Sequence, residues 1–234
     1  MLSEAVIREL DEIISRDAPY RKLAEQYAEY VLAGDRKSAS NLIIEKVESG
    51  TPVKDIYLQV FQPDMYLTGR LWQLKIISVA QEHLFTAMTQ SIMAQLYPYI
   101  MSGNKNDNIL IATCVGNELH EMGIRMVADM FESEGWNTLF LGANTPSKTV
   151  AEAVASEKAH ILAISTTMMF HLKNTQELIK EVKKNREETG IMVGGIALNS
   201  RPELWKLLGA QGFASNAEDA ISVAKSILES KEQA

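Results

Sequence analysis

The chain has 234 residues, 46% hydrophobic and 23% charged, with 23 Lys and Arg against 30 Asp and Glu and a net charge of −7. This is a globular composition; an acidic chain without a basic cluster argues against direct nucleic-acid binding, since phosphate neutralisation needs Lys and Arg on one face. The single cysteine, Cys114, excludes internal disulfides and multi-thiolate metal sites, and the lack of a long apolar run predicts a cytoplasmic chain with no membrane association.

Residues 1–100 carry only Gly34, Gly50 and Gly69, and their apolar residues recur at three and four. An amphipathic helix is expected over 2–16. A second carries Leu23, Tyr27, Tyr30 and Val31 and stops at Gly34. Asp35 caps a third with Ala39, Leu42, Ile43 and Val47, ending near Gly50. Thr51-Pro52 opens a helix that runs past Ile56, Val60 and Met65 to Thr68-Gly69. Ser78 starts the next, with Ala80, Leu84, Ala87 and Met88 on one face and Gln81 completing a capping box. This half reads as a helical bundle, residues 1–100.

The polar stretch 101–107 reads as a linker. Beyond it, over 107–234, apolar runs alternate with helical stretches. Strands are expected at 109–115, 138–141, 161–165 and 191–193, with a weak one at 212–215. Helices are expected at 119–133, 147–156, 171–187, 201–208 and 217–230. The fold class is therefore α/β: a helical bundle followed by a doubly wound, flavodoxin-like or Rossmann-like domain with five parallel strands. Ligands of such sheets bind at the carboxyl ends of the strands. That places the search at 114–120, 142–146, 165–170 and 194–199.

Those loops hold Glu118-x-His120-x-x-Gly123, Ser165-x-Thr167 and Gly194-Gly195. An imidazole can bind a metal through one nitrogen while a carboxylate accepts the N–H of the other. A lone His in such a loop is more often a surface or capping residue, and paired glycines usually mark a tight turn. The order and spacing of all three signals carry more weight. Forty-one residues separate Gly123 from Ser165, and twenty-six separate Thr167 from Gly194.

Taken together, these motifs resemble the cobalamin-binding domain of methionine synthase, corrinoid methyl carriers, B12-dependent mutases and B12 photoreceptors. The family pattern is Asp-x-His-x-x-Gly, Ser-x-Leu and Gly-Gly. Here Glu stands for Asp at 118 and Thr for Leu at 167. The resemblance implies that His120 binds cobalt as the lower axial ligand, replacing the cofactor's own base. Glu118 would hold the other imidazole nitrogen, and Gly123 would leave room for the corrin. The displaced nucleotide tail would pass Ser165 and Thr167 and lie over Gly194 and Gly195.

In the helical half, Trp72 is followed by Glu82-His83. Trp at a junction between helices is usually core, and neighbours such as Glu82 and His83 point in different directions on a helix, one solvated and one buried. The spacing nevertheless resembles the Trp-x9-Glu-His motif of the light-sensing B12 regulators. There the Trp packs over a 5'-deoxyadenosyl group that the Glu contacts. Gln73 follows Trp72 where some members place an upper His ligand, which leaves His83 as the other imidazole of the bundle.

The leading expectation is a light-responsive sensor or regulator rather than an enzyme. It holds cobalamin, preferably adenosylcobalamin, between bundle and α/β domain, and signals through a protein partner or a change of homo-oligomer. The alternative is a corrinoid methyl carrier of a methyltransferase system, with methylcobalamin. A further alternative is a haem or linear-tetrapyrrole sensor. Of the other candidates, His160 falls at the far end of the sheet, His171 near the upper rim reads either as lining the cofactor cavity or, the commoner case, as a solvated helix start, and Cys114 as a small buried residue at a strand end.

Overall fold

The computed structural model describes residues 1–101 and 104–232. Residues 102 and 103 of the expected linker lie outside them. The chain divides into two compact units, residues 1–99 and residues 100 onward. Among the described residues no helix is long and apolar enough to cross a membrane.

The first unit is helical. Helix α1 (Glu4–Asp11) is capped by Ser3 and is shorter than the expected 2–16. Its C-terminal end is closed by Arg21, whose guanidinium donates to the Leu10 and Ile14 carbonyls at 3.1 and 2.7 Å and to Asp11 at 2.8 Å. Those bonds cap the chain after α1: the Leu10 carbonyl also accepts the Ile13 and Ile14 N–H groups, and the Ile14 carbonyl is satisfied by Arg21. Helix α2 (Arg21–Leu32) and α3 (Arg36–Glu48) meet at Gly34, which has φ +71°. Asp35 accepts the Ser38 N–H at 3.0 Å as the α3 cap.

The helix opened by Pro52 comes in three parts. They are α4 (Val53–Ile56), a π-helical turn (Tyr57–Phe61) and α5 (Gln62–Gln73). Gly69 does not end it, because α5 runs on for another turn. Trp72 sits in the last turn of α5, at the junction with the next helix as expected, but it is 48% exposed rather than core. Helix α6 (Val79–Ile100) starts with the expected capping box. Gln81 accepts the Ser78 N–H at 2.9 Å, and Ser78 Oγ accepts the Gln81 N–H at 3.3 Å. Tyr27, Phe61, Leu71, Phe85 and Met88 are buried at the centre, with the Tyr27 and Phe61 rings 5.1 Å apart.

The second unit is a five-stranded, wholly parallel sheet: β1 (Ile109–Cys114), β2 (Asn137–Gly142), β3 (Ile161–Ser165), β4 (Gly190–Gly194) and β5 (Gly212–Phe213). Their order is β2-β1-β3-β4-β5. Between and after them lie α7 (Met122–Ser133), α8 (Ser147–Ser156), α9 (Leu172–Asn185), α10 (Ile196–Asn199), α11 (Leu204–Leu208) and α12 (Ala217–Glu232). The doubly wound class expected from the alternation is the one observed.

The strands are apolar on both sides because both faces are covered. Ile111, Leu162, Ile164, Ile191 and Val193 pack with Val150, Val154, Leu178 and Val182 of α8 and α9. Leu110, Ala112, Ile161, Ala163 and Met192 pack with Ile124, Phe131, Ala224 and Ile227 of α7 and α12. The chain reverses its direction of winding between β1 and β3, and such a switch point opens a crevice at the carboxyl ends of those strands. The register aligns Cys114 with Ser165 and Ser165 with Gly194 there.

Candidate functional site

Residues 115–121 leave β1 at this crevice and stay out of helix α7, which was expected to begin at 119. Their backbone is used elsewhere. The Glu118 carbonyl accepts the Asn144 N–H at 2.9 Å, and the His120 N–H donates to Glu118 Oε1 at 3.2 Å. Asn144 Oδ1 accepts the Asn117 N–H at 2.8 Å, and Asn174 Nδ2 donates to the Gly116 carbonyl at 2.8 Å. Asn117 and Asn144 both hold positive φ, at 68° and 53°, a conformation Asn tolerates. The loop is thus pinned from the β2 and β3 ends of the sheet.

Glu118 is the hub. Its residue is 0% exposed. Oε1 lies 2.5 Å from His120 Nδ1, and Oε2 accepts the backbone N–H of Thr167 and of Met168, each at 3.0 Å. Burial alone would raise its pKa. Hydrogen bonds from His120, His171 and the Met168 and His120 amides outweigh that and hold the carboxyl well below the ordinary glutamate range.

His120 is the exposed member, with 57% of its side chain accessible. With Nδ1 directed at Glu118, Nε2 is on the opposite edge of the ring. A fixed tautomer with a carboxylate behind it is the arrangement of a metal-ligating imidazole. Among the described residues no three His, Cys, Asp or Glu side chains converge as a metal cage. The site offers one oriented imidazole, which suits a metal whose other ligands come from a macrocycle.

His171 corrects its sequence reading. It is not a solvated helix start: it is 7% exposed, and its Nδ1 lies 3.1 Å from Glu118 Oε2. It ends a 3-10 turn (Met169–His171) after β3, which carries it under the loop. No local signal marks it, because its partner is 53 residues away in the chain. His160 does lie at the other end of the sheet, where its Nδ1 accepts the Ile109 N–H at 3.0 Å. Cys114 is buried, and burial with the nearby Glu118 and Glu121 carboxylates pushes its thiol up to about 12.

Ser165 ends β3 almost buried, and Thr167 follows it half-buried. Gly195 has φ +100°, and a Cβ there would stand 2.4 Å from the Thr166 carbonyl oxygen. A Cβ at Gly194 would stand 2.8 Å from the Ala214 carbonyl oxygen. Both glycines are therefore required by the protein's own turn, whatever lies above them. Gly123, in contrast, has nothing within 4 Å of an added Cβ. Leu119, Met169, Phe170 and Ile196, at the same end of the sheet, are exposed apolar side chains.

In the helical unit, His83 is solvated and Glu82 half-buried, as expected of neighbours on a helix, yet the two side chains meet: Glu82 Oε2 lies 2.5 Å from His83 Nδ1. Thr86 Oγ1 donates to the other Glu82 oxygen at 3.2 Å.

Both halves match models of cobalamin-binding domains. Residues 109–224 match the B12 binding domain, and residues 23–97 match a second model of the same description. The chain is thus a cobalamin-binding protein built of B12-binding domains, one helical and one Rossmann-like. Its relatives include monomethylamine corrinoid protein 1 of Methanosarcina acetivorans, 25% identical over 219 residues, which are 89% of this chain and 97% of the relative. The dimethylamine corrinoid protein of Methanosarcina barkeri is 29% identical over 147 residues, 61% of this chain and 67% of the relative. The solved monomethylamine corrinoid protein of Methanosarcina barkeri shares the fold, with a TM-score of 0.76 and 21% identity over 90% of this chain and 99% of that one. These relatives are named for methylamines and a corrinoid. They do not support the photoreceptor and regulator readings drawn from Trp72, Glu82 and His83.

Proposed function

We propose that the chain is a corrinoid methyl carrier, the second of the readings weighed from sequence, and that its partner is a methyltransferase protein acting on a methylated amine. One observation supports the carrier reading above the sensor: the likeness to methylamine corrinoid proteins runs through both halves, over 89% of this chain. Methylcobalamin is then the form in use, in place of the adenosylcobalamin expected from the light-sensor motif.

The fit to a corrinoid rests on this chain's own groups. His120 would ligate the cobalt through Nε2. Glu118 keeps the Nδ1 hydrogen bond and so fixes the ring's tautomer and angle. Thr167 and Met168 amides and His171 hold Glu118 as a carboxylate. Ser165, Thr167 and the turn at Gly194 and Gly195 would receive the nucleotide tail, and Gly123 would leave space at the start of α7. Leu119, Phe170 and Ile196 would exclude water from the ring. When bound, a corrinoid supplies a cobalt centre able to accept and pass on a methyl group. The protein's part is to adjust how strongly His120 donates to that centre, through the proton it shares with Glu118.

The test is titration of the full chain with methylcobalamin and adenosylcobalamin, followed by gel filtration in the dark and after illumination. A carrier binds the methyl form at least as tightly and keeps its size in light. Preference for the adenosyl form together with a light-driven change of size would restore the sensor reading.

A further inference from the structure

Asp64 lies in the first turn of α5 and is 3% exposed. Among the described residues neither carboxyl oxygen has a hydrogen-bond partner. It borders a small, partly open cavity of about 10 Å³, whose other walls include Val31, Leu67, Thr68, Leu71 and Phe85. An isolated ionised carboxylate in such surroundings is so costly that the group takes up a proton instead. The cavity has about the volume that one water needs, and a water needs polar partners. A metal cation would need about six oxygens, which these apolar walls lack.

We propose that Asp64 is a proton-binding site within the helical unit, its neutral carboxyl sharing one water with the Thr68 hydroxyl. This holds whether the chain is a carrier or a sensor.

The neighbouring groups leave the carboxyl without a counter-charge in contact. Arg21 on α2 is the cation that acts on it, but its guanidinium is engaged by Asp11, by Glu25 at 2.7 Å and by the Leu10 and Ile14 carbonyls. Tyr27 on α2 bonds Thr89 of α6 at 2.9 Å, and burial keeps its hydroxyl protonated. On α1, Glu9 is paired with Arg70 of α5 at 3.1 Å. Phe85 of α6 borders the same cavity without charge. Burial raises the Asp64 pKa well above the ordinary aspartate range, with Arg21 opposing. A π-helical turn, a feature enriched at functional sites, immediately precedes α5. Losing the proton would unseat the first turn of the helix whose last turn carries Trp72.

Infrared spectra and denaturant melts of the full chain across the neutral pH range, for wild type, D64N, D64L and T68V, test this. Wild type is expected to show a carboxylic-acid C=O band at neutral pH that D64N lacks. Its folding constant should also fall as pH rises, by up to about tenfold per pH unit more steeply than in the variant. D64L, which fills the space with hydrocarbon, serves if D64N folds poorly. T68V should shift the band to that of a carboxyl with a lost hydrogen bond. Absence of the band at neutral pH, or equal pH slopes in wild type and variants, would overturn the proton site. An unshifted band in T68V would overturn the shared water.

Discussion

His171 Nδ1 stands 3.1 Å from Glu118 Oε2, while the other oxygen of the same carboxylate stands 2.5 Å from His120 Nδ1. One buried anion thus joins an accessible imidazole to an inaccessible one. Three backbone amides, those of His120, Thr167 and Met168, complete its coordination, so Glu118 cannot turn without breaking several bonds at once.

Glu118→Gln should therefore keep the shape and lose the charge. Removing charge-assisted bonds at a buried group costs about 1.5–3 kcal/mol each. We expect corrinoid affinity to fall by about 10- to 100-fold, the usual effect of losing a partner behind a metal ligand. Absorbance titration with methylcobalamin measures it, and an unchanged affinity would separate His120 from its carboxylate.

The same carboxyl makes an acid-stability prediction. Its folded pKa is depressed, so its contribution is present above the unfolded glutamate value of 4.5 and is lost as pH falls through the folded value. Wild type should lose stability more steeply than Glu118→Gln below about pH 4.5, with the unfolded state binding the extra proton. Denaturant melts of both proteins from pH 6 downward (roughly the lower end of the usual stability plateau) give the two slopes, and parallel slopes would contradict the assignment.

His120→Ala removes the accessible imidazole and with it one bond to the buried Glu118 carboxylate. The visible spectrum of bound cobalamin should lose its histidine-ligated form, and the protein without cofactor should lose about 1.5–3 kcal/mol of stability, the cost of a charge-assisted bond at a buried group. A retained ligation spectrum would require another ligand.

The glycine pair does not test the tail groove. Gly195→Ala forces a Cβ to 2.4 Å from the Thr166 oxygen at φ +100° and should destabilise the unit by about 1–3 kcal/mol. Binding of corrinoids with and without the nucleotide tail should then fall together. Thr167→Phe is the discriminating change: it should weaken binding of complete cobalamin more than of a corrinoid without the tail. Equal loss would place the tail elsewhere.

Trp72 is half accessible, so Trp72→Ala should leave the melting of the helical unit nearly unchanged. In a carrier it should weaken methyl and adenosyl forms alike. A selective loss of the adenosyl form, seen in paired titrations, would point back to the motif's light-sensor meaning.

Much of this was legible in the order of residues. Ile109 to Ala112 is continuously apolar because both faces of β1 are covered. Asp35, Ser78 and Gln81 act as caps through bonds within one turn. The pairing of Glu118 with His120 spans two residues, so spacing was sufficient to suggest it. Such features depend on neighbours in the chain. The rest depends on neighbours in space. His171 joins the site because β3 lies next to β1, which buries a residue whose local pattern reads as a solvated helix start. Gly194 and Gly195 are required by the Ala214 and Thr166 carbonyls that close on them, residues distant from them in the chain. Trp72 emerges at the surface because α5 continues past Gly69. Asp64, one acidic residue among many in the sequence, becomes exceptional only when α5 packs and leaves its carboxyl without a partner. Burial and long-range hydrogen bonding decide the state of such groups, and neither has a period that a linear pattern can carry.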